Sequence, residues 1–108
     1  MGNQTLQHFE LHVLLAMLRE RDETYSVPLV LALEQRMGRP VAQAAVFITL
    51  RRLERKGLVA SRLDEPAGGR PRRYFRLTKP GIAAVKAHRT EHARLWQGLG
   101  RLLGERKG

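Results

Sequence analysis

Apolar side chains return every three or four residues at Leu6, Phe9, Val13, Met17 and Leu18, and Leu11, Leu14 and Leu15 broaden the stripe. This period predicts a helix from about Thr5, a suitable N-cap, to Arg21. A stripe this wide suits packing on two sides, one against a core and one against a partner subunit. A polar connection follows. Ser26 then reads as an N-cap, with Pro28 tolerated in the first turn and Leu29, Leu33 and Met37 facing inward. Gly38 is a left-handed stop, and Arg39-Pro40-Val41 a tight turn. A third helix is expected from about Ala42 to Lys56, with Val46, Leu50 and Leu53 inward and Gly57 at its end.

The period then changes from 3.6 to two. In LVASRL (58–63), Val59 and Leu63 share a face. In RRYFRL (72–77), Phe75 and Leu77 share one face while Arg72, Tyr74 and Arg76 take the other. Two such runs joined by DEPAGGRP predict a hairpin with a long loop. Thr78 caps a last helix reaching about Leu103, with Pro80 in its first turn, and Gly104 to Gly108 read as a frayed tail. Two short helices joined by a Gly-containing turn, then a hairpin, make a winged helix-turn-helix with an added C-terminal helix. The fold class is mainly α (α+β).

Charge adds a direction to this scaffold. The 108 residues favour one folding unit and carry a net charge of +10. Residues 1–38 hold three basic and five acidic side chains, residues 39–79 eleven and three, and residues 80–108 six and two. The middle of the chain is thus the electrostatic face, suited to a polyanion or an anionic surface. A solvated surface mixes the two signs, so a concentration of this kind points to a functional patch. Its densest part is PAGGRPRRYFRL (66–77), with four arginines and no acid. Gly68 and Gly69 let the hairpin tip turn. Arg70, Arg72 and Arg73 then stand on a protrusion that has no core to hold and can reach a nucleic-acid backbone or enter a minor groove.

With Val46, Leu50 and Leu53 inward, Ala44, Ile48, Arg51 and Arg55 take the opposite face of the third helix, flanked by Gln43, Ala45, Phe47 and Arg52. In the major groove, Gln43 suits adenine, while Ala44, Ala45 and Ile48 suit thymine methyls. Arg51 and Arg52 suit phosphates.

VFITLRRLERKGLV (46–59) followed by GGRPRRYFRLTKPG (68–81) resembles the PadR family of bacterial transcriptional regulators. The resemblance covers most of the chain, and residues 41–81 carry nearly all of its weight. It implies a DNA-binding domain over residues 1–78, with recognition helix 42–56 and wing 64–73. Residues 79–108 would form a dimerisation helix and tail, as in the short branch of the family. Ala42 stands where the family often has a capping Ser, which weakens the cap by about 1 kcal/mol. Phe47 stands where it often has Tyr, which removes a hydroxyl able to meet a phosphate. The function implied is that of a sequence-specific regulator of double-stranded DNA, a repressor acting as a homodimer. The alternative class is a winged-helix module that binds protein, against which the arginine-rich tip argues.

Ile82, Val85, Arg89, His92, Trp96, Leu99 and Leu103 fall on alternating spacings of three and four, a seam for pairing with another helix. The expected dimer contacts are Leu6, Phe9, Val13, Ile82, Val85, Leu95, Leu99 and Leu103. Trp96 is the only tryptophan. Its plainer role is interface packing; the resemblance adds a sharper one, a flat aromatic effector held between the dimer's C-terminal helices. His8/His12 and His88/His92 have the spacing of metal-binding pairs but lack a third ligand, and no metal or cofactor is assigned. No catalytic constellation is present, so the expectation is a protein that is not an enzyme. The absence of cysteine, of a signal-peptide pattern and of a long apolar run fits a cytoplasmic protein away from membranes.

Overall fold

The computed structural model describes residues 6–105. Helix α1 runs His8–Glu20, α2 Ser26–Met37 and α3 Gln43–Arg55; strands β1 (Val59–Asp64) and β2 (Arg72–Leu77) follow, then α4 (Lys79–Trp96) and the short α5 (Leu99–Leu102). Helices α1, α2 and α3 pack on one another, and the antiparallel hairpin closes the open side of α3. The buried core is made by Val13, Leu14 and Met17 of α1, Leu29 and Leu33 of α2, Val46, Leu50 and Leu53 of α3, and Leu58, Val59 and Phe75 of the hairpin. Most of these are positions that the two periodicities mark, but Leu15 and Leu18 of the α1 stripe are exposed, and so is Leu63 of the hairpin. Leu63 shares a strand face with Val59 but is exposed, because the hairpin runs past the edge of the helical layer.

The ends of the helices shift by a few residues from the sequence reading. Thr5 lies outside the described residues, and the N-cap position of α1 is taken by Gln7, whose N–H donates to the Glu10 carboxylate (2.9 Å). Ser26 is the first residue of α2 and Tyr25 its N-cap. Gly38 adopts the left-handed conformation (φ 71°) that stops α2. Ala42 caps α3 without a side-chain hydrogen bond; close by, the Val41 N–H donates to Glu34 (2.9 Å) and secures the turn.

The junction from hairpin to last helix explains a conspicuous run of the sequence. The Thr78 hydroxyl donates to the Gly57 carbonyl (2.7 Å) and accepts from the Gly81 N–H (3.1 Å). One side chain thus ties the end of α3 to the start of α4. At Gly81 a Cβ would lie 2.1 Å from the Leu58 carbonyl oxygen, so only glycine fits there.

The last helix is not continuous. It ends at Trp96, Gln97 turns away (φ −59°, ψ 126°) and Gly98 is left-handed (φ 80°), so α5 starts in a new direction. The seam read through Trp96, Leu99 and Leu103 as one helix is therefore broken at Gln97-Gly98. Only the first part of α4 meets the core, through Ala84 and Val85. The remainder projects, and the molecule extends 59 × 35 × 20 Å.

Candidate nucleic-acid interface

Val46, Thr49, Leu50 and Leu53 are buried, so the N-terminal half of α3 turns Gln43, Ala44, Ala45 and Ile48 to solvent. Ile48 is 55% exposed, a large apolar side chain that the fold leaves free on a face otherwise made of small residues. Phe47 is different. Its ring meets Phe75 edge-on (centroids 6.0 Å apart, 82°), while 39% of the residue stays exposed. The Gln43 amide does not hang free: its Nε2 donates to the Ser26 hydroxyl (3.0 Å).

Several arginines of α3 and the hairpin are held by side-chain partners. Arg51 pairs with Glu54 (3.1 Å), one turn along. The other Glu54 oxygen accepts from Ser61 (2.6 Å), and the Ser61 hydroxyl accepts from Arg73 (3.0 Å). This chain of four side chains crosses from α3 to the hairpin and holds two guanidinium groups where the two elements meet. Glu54 is one of only three acids in the basic middle segment, which was the available signal for a structural partner. Ser61 offered none, since its contacts come from register: it stands opposite Phe75, two positions along the strand from Leu63, which pairs with Arg73.

Arg72 and Arg73, adjacent on β2, point to opposite faces, as period two requires. Arg73 reaches toward α3, while Arg72 lies over the Tyr25 ring (4.2 Å). Tyr25 in turn meets Tyr74 edge-on (5.7 Å), and Arg62 covers the Tyr74 ring (4.9 Å) while gripping Glu23 with two nitrogens (2.8 and 2.9 Å). Those hydrogen bonds hold the Glu23 carboxyl below its ordinary pKa. Reciprocal backbone hydrogen bonds between Thr24 and Phe75 (3.0 and 2.7 Å) add the α1–α2 connection to the hairpin as a third rung. The base of the wing is thus fixed, and its tip, with Arg70 exposed and Gly68 left-handed (φ 74°), is not packed on anything. The three hairpin arginines do not share one face: Arg73 bonds Ser61, Arg72 lies over Tyr25 on the opposite side, and Arg70 stands at the tip.

Behind this surface lies a buried ion pair. Glu10 is 1% exposed and accepts from Lys56, at the end of α3, through both oxygens (2.8 and 3.0 Å). Burial alone would raise the Glu10 pKa. The Lys56 and Gln7 hydrogen bonds and the charges of Lys56 and Arg52 outweigh it and hold the carboxyl below its usual value. Arg52 therefore acts on the interior as well as lying at the surface.

The expected dimer residues divide into two groups. Val13 is fully buried in the protomer's own core, and Leu6, Phe9 and Val85 pack against that core. Val13 thus has no surface to offer a second subunit. The exposed apolar residues of α1 are Leu15 and Leu18 instead, and those of the C-terminal region are Ile82, Leu95, Trp96, Leu99, Leu102 and Leu103. Along α4 the rings of His88 and His92 stack (6.1 Å), and His92 meets Trp96 (5.7 Å). Among the described residues, no three metal-ligating side chains gather into a cluster, and no helix is long and apolar enough to cross a membrane.

Comparison with known proteins places this arrangement. Residues 14–87 match the model of the transcriptional regulator PadR-like family. A PadR family transcriptional regulator from Eggerthella lenta DSM 2243 is 31% identical, with a TM-score of 0.69 over 88% of this chain and 87% of that one. A PadR-like transcription factor from Bacteroides fragilis shares the fold at 18% identity, with a TM-score of 0.74 over 87% and 88% of the two chains. So does a PadR-like transcriptional regulator from Bacillus cereus strain ATCC 14579, at 18% identity and a TM-score of 0.70 over 91% and 93%. No curated protein matches the chain. The matched residues run from the core of α1 through the helix-turn-helix, the wing and the first turns of α4, and the chain belongs to the PadR-like family of transcriptional regulators, which bind DNA.

Proposed function

We propose that the protein is a cytoplasmic, homodimeric repressor that recognises a specific sequence in double-stranded DNA. The observation that carries this reading is the shared outlook of α3 and the wing. The exposed Gln43, Ala44, Ala45 and Ile48 lie on the half of α3 suited to a major groove, and Arg51 and Arg73 are joined through Glu54 and Ser61 where α3 meets the hairpin. Gln43 reads adenine, and the alanines and Ile48 meet thymine methyls. Arg51, Arg52 and Arg73 take phosphates, Arg70 and Arg72 take the flanking backbone or minor groove, and Phe47 flanks the reading face of α3.

Two such surfaces act together in the dimer, which is held by α1 and the C-terminal helices. Its contacts are Leu15, Leu18, Ile82, Leu95, Leu99 and Leu103, with Leu6, Phe9 and Val85 beneath them. Burial of this exposed apolar set is the driving force. Trp96, half-exposed beside His92, packs in the interface and offers its indole to a flat aromatic effector. Occupancy of a promoter by the dimer gives repression. The test is mobility shift with purified protein against random duplex at moderate salt. Binding that weakens steeply with salt supports the reading, and no binding favours the protein-interaction alternative.

A further inference from the structure

We propose that Ser26 is a specificity-determining positioning residue: from the start of α2 it orients the Gln43 amide for base readout. This inference rests on the DNA-reading role given to Gln43 above. Gln43 is the first residue of α3 and Ser26 the first of α2. The two are seventeen positions apart in the chain, yet the helix-turn-helix brings the hydroxyl within 3.0 Å of the amide nitrogen.

A glutamine on an exposed helix end rotates about three bonds and can present either edge of its amide. The Ser26 hydroxyl restricts that freedom, because it accepts one Nε2–H. What remains to face the DNA is the carbonyl oxygen and the second N–H, side by side. That pair matches adenine, which offers an N6–H donor and an N7 acceptor in the major groove. Side-chain order obtained before binding is not lost on binding, so the tether raises both affinity and selectivity for the one base.

The position of Ser26 is itself secured. Its neighbour Tyr25 has extended backbone (φ −133°, ψ −176°) and is held between Arg72 and Tyr74, while Thr24 is bonded to Phe75. The backbone that carries Ser26 is therefore anchored through the base of the hairpin.

The experiment takes the intact protein and a duplex selected from a random pool. It then measures affinity for that duplex and for each single base-pair variant, using wild type, Ser26→Ala, Ser26→Thr, Gln43→Ala and the Ser26→Ala/Gln43→Ala double variant. Gln43→Ala should erase preference at one base pair, a loss of about 10- to 100-fold in discrimination. Ser26→Ala should lower discrimination by roughly 3- to 10-fold at that same base pair, with little change elsewhere. Ser26→Thr should restore it. In the Gln43→Ala background, Ser26→Ala should add nothing. Equal loss on every duplex would mean that Ser26 holds a phosphate, and an unchanged preference that the tether is idle; either overturns the inference while leaving the DNA-reading role intact. If Gln43→Ala itself leaves preference untouched, the base-reading role fails and takes this inference with it.

Discussion

The wing and the end of the C-terminal helix both stand away from the core, and they do so with opposite chemistry. The wing carries Arg70, Arg72 and Arg73 around a turn with no apolar contact of its own, whereas the far end of the molecule exposes Leu95, Trp96, Leu99, Leu102 and Leu103. Leu102 is 81% exposed, the most uncovered large apolar side chain among the described residues. Folding accounts for only part of this: Arg72 lies over Tyr25 and Arg73 donates to Ser61, while Arg70 and the apolar end of the chain stay exposed. Water solvates the arginines well, so their concentration requires a polyanion to account for it. Water solvates the leucines poorly, so theirs favours an apolar partner surface, which in the proposed dimer a second copy of the same helices supplies. The two regions teach that exposure alone says little; what is exposed names the partner.

Removing one region while sparing the other gives the largest expected effect. Truncation after Val85 keeps the first turns of α4, where Ala84 and Val85 meet the core, and deletes the apolar end. The protein should become monomeric by sedimentation, and operator affinity should fall by about 10²- to 10⁴-fold, as one half-site no longer tethers the other. A truncated chain that still sediments as a dimer would move the interface elsewhere.

A charge inside the molecule should behave unlike those on the wing. Glu10→Gln breaks the buried pair with Lys56 and should cost about 3 kcal/mol of stability in denaturant unfolding. The Glu10 pKa is lower in the folded protein than its ordinary value. Its contribution is therefore present above the unfolded-state pKa and is lost as pH falls through the folded-state one. The variant should accordingly lose the part of the acid-induced unfolding that this carboxylate causes. An unaltered acid limb would show that the pair adds no stability.

Arg70, Arg72 and Arg73 changed together to Ala should act the other way, with a modest effect on stability and a clear one on binding. Affinity should drop on every duplex, and the log–log salt slope should flatten by about 0.9 for each phosphate no longer neutralised. An unchanged slope would take the wing off the DNA. The smallest expected signal is at Trp96. Planar aromatic cations should quench its fluorescence saturably and loosen operator binding. Quenching that leaves DNA affinity untouched would reduce Trp96 to interface packing.

Most of the fold is legible in the chain because its causes are local. The shift of period from 3.6 to two separates helices from hairpin, Gly38 and Gly57 mark helix ends with positive φ, and Thr78 caps α4. The break at Gln97-Gly98 was hidden because the three-four spacing of apolar residues runs straight across it. Val13 was misplaced for a related reason. A wide stripe shows that α1 has two packed sides, but not which residues take which side. The site was legible in its residue types and not in its wiring. The Gln43–Ser26, Glu54–Ser61–Arg73 and Glu10–Lys56 contacts join segments seven to forty-six residues apart, and no local pattern announces them.

The most direct test of the central claim is selection from a random duplex pool with the purified protein. The account predicts enrichment of a two-fold symmetric site, with half-sites about one helical turn apart to match two recognition helices. Adenine and thymine should occupy the positions read by Gln43 and by Ala44, Ala45 and Ile48. A pool that shows no enrichment, or a bound sequence without two-fold symmetry, would contradict it.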